Sequence, residues 1–387
     1  MRPMFYPPEL LSWVEQVSTH LPHLQRSQAQ MLAWYSFAVT LVQGCGISQV
    51  AYLLACLLER SENSMRQRLR ETLYDAPDKR GQQRREIDVV ACFAPLLHWV
   101  LARGCGPDAV LWLALDATTL RQTFTVLSVS VLVGRCAIPV AWAILPAQQP
   151  GSWKPHWLRL LTQIQVPVAD RKVLVLTDRG LYAPWLFQAI TRQGWHPLMR
   201  INPQGNVVLR ESGARWKLAH LAAQCRQRWW HGTVLCFPGK KQLNCTLLAL
   251  WDEGQREVWL LVTDLPHTQV SPTWYTLRMW IEAGFKLLKS AGFHWERTRM
   301  SHPARAERLW LVLALASLRA AMLAPPPPEA IQPLVTPYPR LSLLKQGLLR
   351  QLAALLLRRP PQFYPFHLPL LPPAPCLEFA TLLKTYP

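Results

Sequence analysis

Two aspartates stand where apolar runs stop. Asp116 closes Leu113-Ala-Leu-Asp116-Ala-Thr-Thr, and Asp178 closes Leu174-Val-Leu-Thr-Asp178-Arg. A carboxylate placed directly after an apolar strand loses solvation if it stays charged and buried, so it needs a cation or an open sheet edge. Side by side, two such groups repel and raise each other's pKa unless a divalent ion neutralises them. Oxygen ligands of this hard type suit Mg2+ or Mn2+. Taken singly, either acid is equally well read as a strand-end turn residue or a helix cap.

A third acid comes from the segment after Pro272. At 3.6 residues per turn, Tyr275, Arg278, Glu282 and Lys289 fall on one stripe about 60° wide, with Lys286 beside it. Leu277, Ile281 and Leu288 occupy a separate apolar face, with Phe285 at its border. That pattern predicts one long helix packed on a sheet, its polar stripe turned to an edge. An acid among basic groups also fits a surface salt-bridge ladder, since Arg278 and Glu282 are an i, i+4 pair.

The elements that must position these residues follow from periodicity. Val110–Leu115, Phe124–Val133 and Ala137–Leu145 are short β-rich runs separated by turns, which predicts an antiparallel meander. An amphipathic stretch (Trp153–Ile164), a buried strand (Lys172–Thr177), a helix (Ala183–Arg192) and a fifth strand (His196–Ile201) come next. The order βββαβαβ is that of an RNase H-like mixed sheet covered by helices, in which the strands ending at Asp116 and Asp178 are neighbours. A β-rich block at 232–237, 245–250 and 257–263 then interrupts the layer before the Glu282 helix. Upstream, residues 8 to about 75 carry helical spacing with breaks at Pro22 and Gly44-Cys-Gly46, and 75–85 reads as a linker. Arg66, Arg68 and Arg70 sit on the last N-terminal helix, equally suited to DNA and to solvent. The span Leu309–Leu318, cut short by Arg319, is too brief to cross a bilayer and reads as a core helix.

Charge narrows the partner. The 387 residues hold 42 Lys+Arg against 23 Asp+Glu, a net +19, with half of all residues hydrophobic. Disorder as the main state is excluded, and collagen-like and coiled-coil designs fail for want of a period. The surplus is uneven: residues 1–105 hold eleven basic and nine acidic side chains, whereas Arg179–Trp251 holds ten basic residues and one acid, Glu211. So one-sided a run points to a polyanion, nucleic acid first and an anionic membrane second. Nine cysteines, never closer than nine apart, make no zinc ribbon or Cys-x-x-Cys site and suit a reducing compartment. Prolines and Glu9 near the N-terminus replace the apolar stretch of a signal peptide, so residence in a bacterial cytosol is expected. The pair His20 and His23 reads as incidental.

The spacing Tyr275-x2-Arg278-x3-Glu282-x6-Lys289 resembles the Tyr-Arg-Glu-Lys signature of DDE transposases of insertion-sequence family four, the group that includes the Tn-five transposase. Asp116 followed by Ala-Thr-Thr, the Thr-Asp178-Arg179-Gly element, a β insertion before the glutamate helix, and Val258-Trp259-Leu-Leu-Val-Thr263 are similar to that family too. The likeness covers roughly residues 109–320. It implies that Asp116, Asp178 and Glu282 are catalytic and hold two divalent ions, Mg2+ or Mn2+. One would activate the attacking water or 3′-hydroxyl and the other would stabilise the leaving oxygen of an in-line displacement. It implies that Tyr275, Arg278, Lys286 and Lys289 hold neighbouring phosphates, with Arg179 also on DNA. Trp259 would stack on a base flipped from a hairpin end, although Trp229, Trp230 and Trp251 offer the same face.

The implied activity is metal-dependent cleavage at element ends and strand transfer into target DNA, by cut-and-paste through hairpin ends. The implied partners are double-stranded DNA, as terminal inverted repeats and target, and a second copy of the chain in a synaptic homodimer, with no membrane. A domesticated DNA-binding protein and an RNase H-like nuclease without strand transfer are the alternatives; three retained carboxylates speak against the first. The expected divisions are a helical, DNA-binding 1–85, an RNase H-like core in two parts (86–204 and 269–323), a β-rich insertion (205–268), and a Pro-rich 324–387 carrying a candidate dimerisation helix at 341–357.

Overall fold

A computed structural model describes residues 7–80, 85–104, 109–168, 171–225, 229–239, 242–251, 257–325 and 341–366. Four helices open the chain: α1 (Pro8–His20), α2 (Arg26–Val42), α3 (Ile47–Leu58) and α4 (Glu62–Leu73). Their starts are chemically marked. Gln25 and Gln28 form a reciprocal capping box on α2, and the Ser61 hydroxyl accepts from the Ser64 amide at α4. Leu10, Trp13 and Val17 of α1 and Leu32, Trp34 and Phe37 of α2 are buried. His20 stacks on Trp99 and His23 meets the Cys92 thiol at 3.3 Å, so both belong to packing. A fifth helix, α5 (Phe93–Ala102), lies in a stretch where no helix was expected from the sequence.

The central layer is a mixed sheet. Strands β1 (Leu111–Leu120), β2 (Phe124–Val133) and β3 (Cys136–Pro146) form the antiparallel meander. Helix α6 (Lys154–Gln163), β4 (Val173–Thr177), α7 (Pro184–Thr191) and β5 (His196–Ile201) complete the RNase H-like order. β4 runs parallel to β1 and to β5. All ten residues of β2 and all five of β4 are buried, as strands covered on both faces must be.

Among the described residues the β-rich insertion holds five strands and a helix where the sequence shows three β-rich runs, and it is continuous with the sheet. It comprises β6 (Asn206–Leu209), β7 (Arg215–Lys217), α8 (Leu218–Gln224), β8 (Trp229–Cys236), β9 (Leu243–Leu250) and β10 (Trp259–Thr263). β10 pairs antiparallel with β5, Leu260 opposite Ile201 and Val262 opposite Met199. One ten-stranded sheet results, in the order β3-β2-β1-β4-β5-β10-β9-β8-β6-β7. Pairing β10 covers the edge that β5 would otherwise present to solvent. The strands β6 and β7 escaped the sequence reading because three- and four-residue runs carry almost no period.

The segment expected to be one long helix from Pro272 is built in three pieces. Residues 272–278 form a 3-10 helix, α9 spans Met279–Lys286, and 287–291 form a π-helical turn. Gly284 lets α9 press against β3: a Cβ there would lie 2.9 Å from the Ala137 carbonyl oxygen. The helix α10 (Pro303–Leu323) is buried almost all round, with α2, β3 and α11 (Leu343–Leu356) as its neighbours. The expected linker is anchored to α10: Arg308, 5% exposed, donates to the Leu73 and Ile87 carbonyls and to Asp75, and Arg305 pairs with Asp78 at 2.8 Å.

Helix α11, the candidate for dimerisation, spends one face within the chain. Leu344, Gly347, Leu348 and Gln351 are buried, whereas Leu349, Leu352 and Leu356 are exposed. After it, the chain from Pro361 to Phe366 lies against the body, with Tyr364 donating its amide to the Met322 carbonyl and Phe366 buried. That part of the Pro-rich region is ordered by packing. The remainder, 326–340 and from 367 on, lies outside the described residues, as do Arg226, Arg228, Lys240 and Lys241 of the basic run. Among the described residues no single helix is long and apolar enough to cross a membrane.

Gly347 is the point of closest approach between α10 and α11, since a Cβ there would collide with the Ala320 carbonyl. Gly347→Ala gains up to about 1 kcal/mol of helix propensity and loses about 1–3 kcal/mol to overpacking between two backbones that cannot swing aside. The expected outcome is a lower melting temperature and faster proteolysis beyond residue 341, read by thermal denaturation and limited digestion.

Candidate active site

The sheet register brings the two aspartates together. Leu115 of β1 is paired with Thr177 of β4, so Asp116 and Asp178 occupy the next positions of adjacent parallel strands. Asp116 is only 8% exposed and its Oδ1 accepts from the Ala117 amide at 2.9 Å. Asp178 stands just past the end of β4, its Oδ1 accepting from the Leu181 amide at 3.0 Å across the turn that leads to α7. α9 lies over β1, β2 and β3 and brings Glu282 to the same place.

All three carboxylates converge on Arg278. Its Nη2 lies 2.9 Å from Asp116 Oδ2 and 3.6 Å from Asp178 Oδ2, and its Nη1 lies 3.0 Å from Glu282 Oε1. The Arg278 side chain is 15% exposed and that of Glu282 62%, so the cluster runs from the sheet interior out to solvent. Its buried Nε has no partner among the described residues. Burial pushes the Asp116 carboxyl up to about 6; the Arg278 charge opposes this and the neighbouring Asp178 adds to it. For Arg278 burial lowers the pKa, but the surrounding acids outweigh it and hold the group above its ordinary value. Lys289, half-buried in the π turn, is lowered by burial, against the pull of Asp116 and Glu296. Lys286 is exposed one turn beyond Glu282.

The other sequence-derived residues divide. Tyr275 does not lie on a phosphate-facing stripe with Arg278 and Glu282: the 3-10 geometry turns it inward, where it is buried and donates its hydroxyl to the Thr177 carbonyl at 3.1 Å. Its hydroxyl proton is committed to the strand that ends at Asp178. Trp259, half-buried at the start of β10, meets the Tyr275 ring edge-on, at 5.2 Å between centroids. It packs on the same tyrosine that bonds to the strand ending at Asp178. Arg179 is paired with Glu257 at 2.9 Å, and Glu257 also accepts from Arg200 at 2.6 Å. Burial raises the Glu257 carboxyl, but the two guanidiniums together outweigh it and leave it below the usual range. Glu257 and Arg200 were missed from sequence, because a lone acid in a basic stretch gives no sign of which arginines it will meet.

Three carboxylates offer only hard oxygens and already gather around one positive charge, with Arg278 standing where a metal cation would be attracted; in donor chemistry and convergence they fit a divalent ion. With the guanidinium between them they are not drawn into a tight ligand set, and among the described residues no group of three His, Cys, Asp or Glu is so drawn.

Residues 153–319 match the family described as the transposase DDE domain, a match that includes Asp178 and Glu282 and begins after Asp116. This part of the chain is thus similar to a transposase DDE domain, a domain type that works with divalent metal ions. No curated protein matches the chain. Among solved structures, it is similar to the piggyBac transposase in a synaptic complex with hairpin DNA, at 10% identity and a TM-score of 0.40 over 81% of this chain and 72% of that one.

The raised Asp116 carboxyl fixes a sign for stability in metal-free protein. Between about pH 4 and pH 6 the folded state binds a proton that the unfolded state releases, so stability falls as pH rises through that window and stays low above it. Asp116→Asn removes the titration. In chelator, the variant is expected to be more stable than the parent at pH 7, by an amount of order 2 kcal/mol, and the difference is expected to close by pH 4. Paired thermal melts across pH measure it.

Proposed function

We propose that this protein is the transposase of an insertion sequence of family four, cleaving DNA at the element's ends and transferring the freed strand into target DNA. The observation that carries the proposal is the convergence of Asp116, Asp178 and Glu282, drawn from two adjacent strands and one overlying helix, on a single cationic point. A binding protein has no use for acids facing phosphate. In this reading those three carboxylates are the catalytic ligands of two divalent ions, Mg2+ or Mn2+, which supply activation of the attacking oxygen and stabilisation of the leaving one.

The chain's own residues do the rest. Asp116, rigid in β1 and braced by the Ala117 amide, fixes the inner side of the site. Asp178 is aimed by the Leu181 amide, and Tyr275 ties the 3-10 segment to Thr177 so that Glu282 arrives at the correct height. Arg278, Lys286 and Lys289 receive the phosphates beside the scissile bond. Arg179 and Arg200 join them when phosphate displaces Glu257. Trp259, whose ring faces Tyr275 with its edge partner already placed, accepts a base leaving a hairpin end.

The substrates are the terminal inverted repeats and target duplex, cut and pasted through hairpin ends by a homodimer in the bacterial cytosol. Residues 1–85 serve DNA binding, through the exposed Arg68 and Arg70 of α4. The exposed leucines of α11 are the face left to a second copy.

With Mg2+ and duplexes carrying the repeats that bound the reading frame, the protein is expected to yield nicks and then hairpins. Asp116→Ala, Asp178→Ala and Glu282→Ala should each lose about 100-fold or more of the cleavage, and a variant that still cut at the normal rate would remove its residue from the catalytic set. Trp259→Ala is expected to nick normally and form hairpins slowly, as resolved on denaturing gels. Nicks without strand joining would instead identify a nuclease.

A further inference from the structure

A carboxylate cluster that must bind divalent metal already holds a cation. Arg278 makes three ion pairs through two nitrogens, at 2.9, 3.0 and 3.6 Å, and each partner is one of the three proposed metal ligands. It cannot be a casual surface contact, because the side chain is 85% covered and Asp116 beneath it is buried. Besides the guanidinium, the half-buried Lys289 of the π turn is drawn towards Asp116. Asp116 has one amide on Oδ1 and Asp178 one amide on Oδ1, and the Oδ2 atom of each faces the same guanidinium nitrogen. Removing it without replacement would leave adjacent carboxylates unscreened in a low-dielectric site.

The geometry points to Arg278 as an internal counter-ion that occupies the metal site and is drawn out of it by a DNA phosphodiester, so that metal and DNA bind with positive coupling. This rests on the reading of Asp116, Asp178 and Glu282 as metal ligands. A guanidinium and a divalent cation compete for the same oxygens, so metal alone must displace Arg278 into a partly buried setting where, among the described residues, it pairs with no other acid. A phosphate at the mouth of the site offers the guanidinium a bidentate anionic partner and leaves the carboxylates to the ion. The exposed Glu282 is the most easily released of the three partners, which sets the direction of the swing towards solvent. By linkage, the factor by which DNA tightens metal binding equals the factor by which metal tightens DNA binding. A consequence for function is that free protein stays poorly metallated, and its nuclease chemistry is confined to the DNA-bound state.

The test measures Mn2+ binding to the full chain by electron paramagnetic resonance of the free ion, with and without an element-end duplex. Without DNA, Arg278→Gln is expected to bind Mn2+ about tenfold more tightly than the parent, and Arg278→Lys, which keeps the charge, to stay near it. DNA is expected to tighten Mn2+ binding to the parent about tenfold and to leave Arg278→Gln nearly unchanged. Equal or weaker Mn2+ binding by Arg278→Gln overturns the proposal. Should that variant not fold by circular dichroism, the parent alone decides, and no tightening by DNA overturns it. Asp116→Asn and Glu282→Gln separate this from the reading beneath it: both must weaken Mn2+ binding, and if neither does, the metal-ligand assignment itself fails, whereas if both do and Arg278→Gln is unchanged, only the counter-ion role falls.

Discussion

A guanidinium among three carboxylates is the interaction on which the rest of this molecule depends. Acids this close, one of them buried in a β-strand, cannot all remain ionised without positive charge between them. Arg278 supplies that charge in the metal-free chain. A fold can tolerate such a costly cluster only where it is held by elements too rigid to relax away from it, and the surrounding architecture is of that kind.

The rigidity comes from the sheet and from what presses on it. β1 and β4 are buried parallel neighbours with a register that leaves no freedom in the spacing of Asp116 and Asp178. On the side of Glu282, Gly284 allows α9 to sit directly on β3, Tyr275 pins the preceding 3-10 segment to Thr177, and the π turn brings Lys289 back towards Asp116. Irregular helical turns of this sort recur at functional sites because they re-aim side chains that a uniform helix would send elsewhere. The almost wholly buried α10 backs the assembly, and through Arg308 it fastens the N-terminal helices and the segment after them to the same body.

Much of this could be read from sequence, and the failures have physical causes. Strands β2 and β5 fall at the positions their apolar runs dictate, because long buried strands leave a continuous signature. The Asp116 and Asp178 pairing followed from strand order alone. Tyr275 was misplaced because a uniform 3.6-residue period was applied across a segment that changes from 3-10 to α to π, and no local signal marks those changes. The continuity of the sheet into the insertion was invisible, since pairing between β5 and β10 joins residues about sixty apart. The Arg179–Glu257–Arg200 group escaped for the same reason: charge composition tells how many ions there are and not which of them meet. The overall excess of basic residues suits a polyanion, while Asp116, Asp178 and Glu282 gather three acids at one point of a basic chain.

The central claim is that Asp116, Asp178 and Glu282 hold divalent metal together. Iron-directed self-cleavage tests it most directly: Fe2+ substituted for Mg2+ in the DNA-bound protein, with ascorbate and peroxide, cuts the backbone beside whatever residues ligate it. Cuts clustered at residues 116, 178 and 282, suppressed by excess Mg2+, are the predicted result. A pattern lacking any one of the three positions, or unaffected by Mg2+, would contradict it.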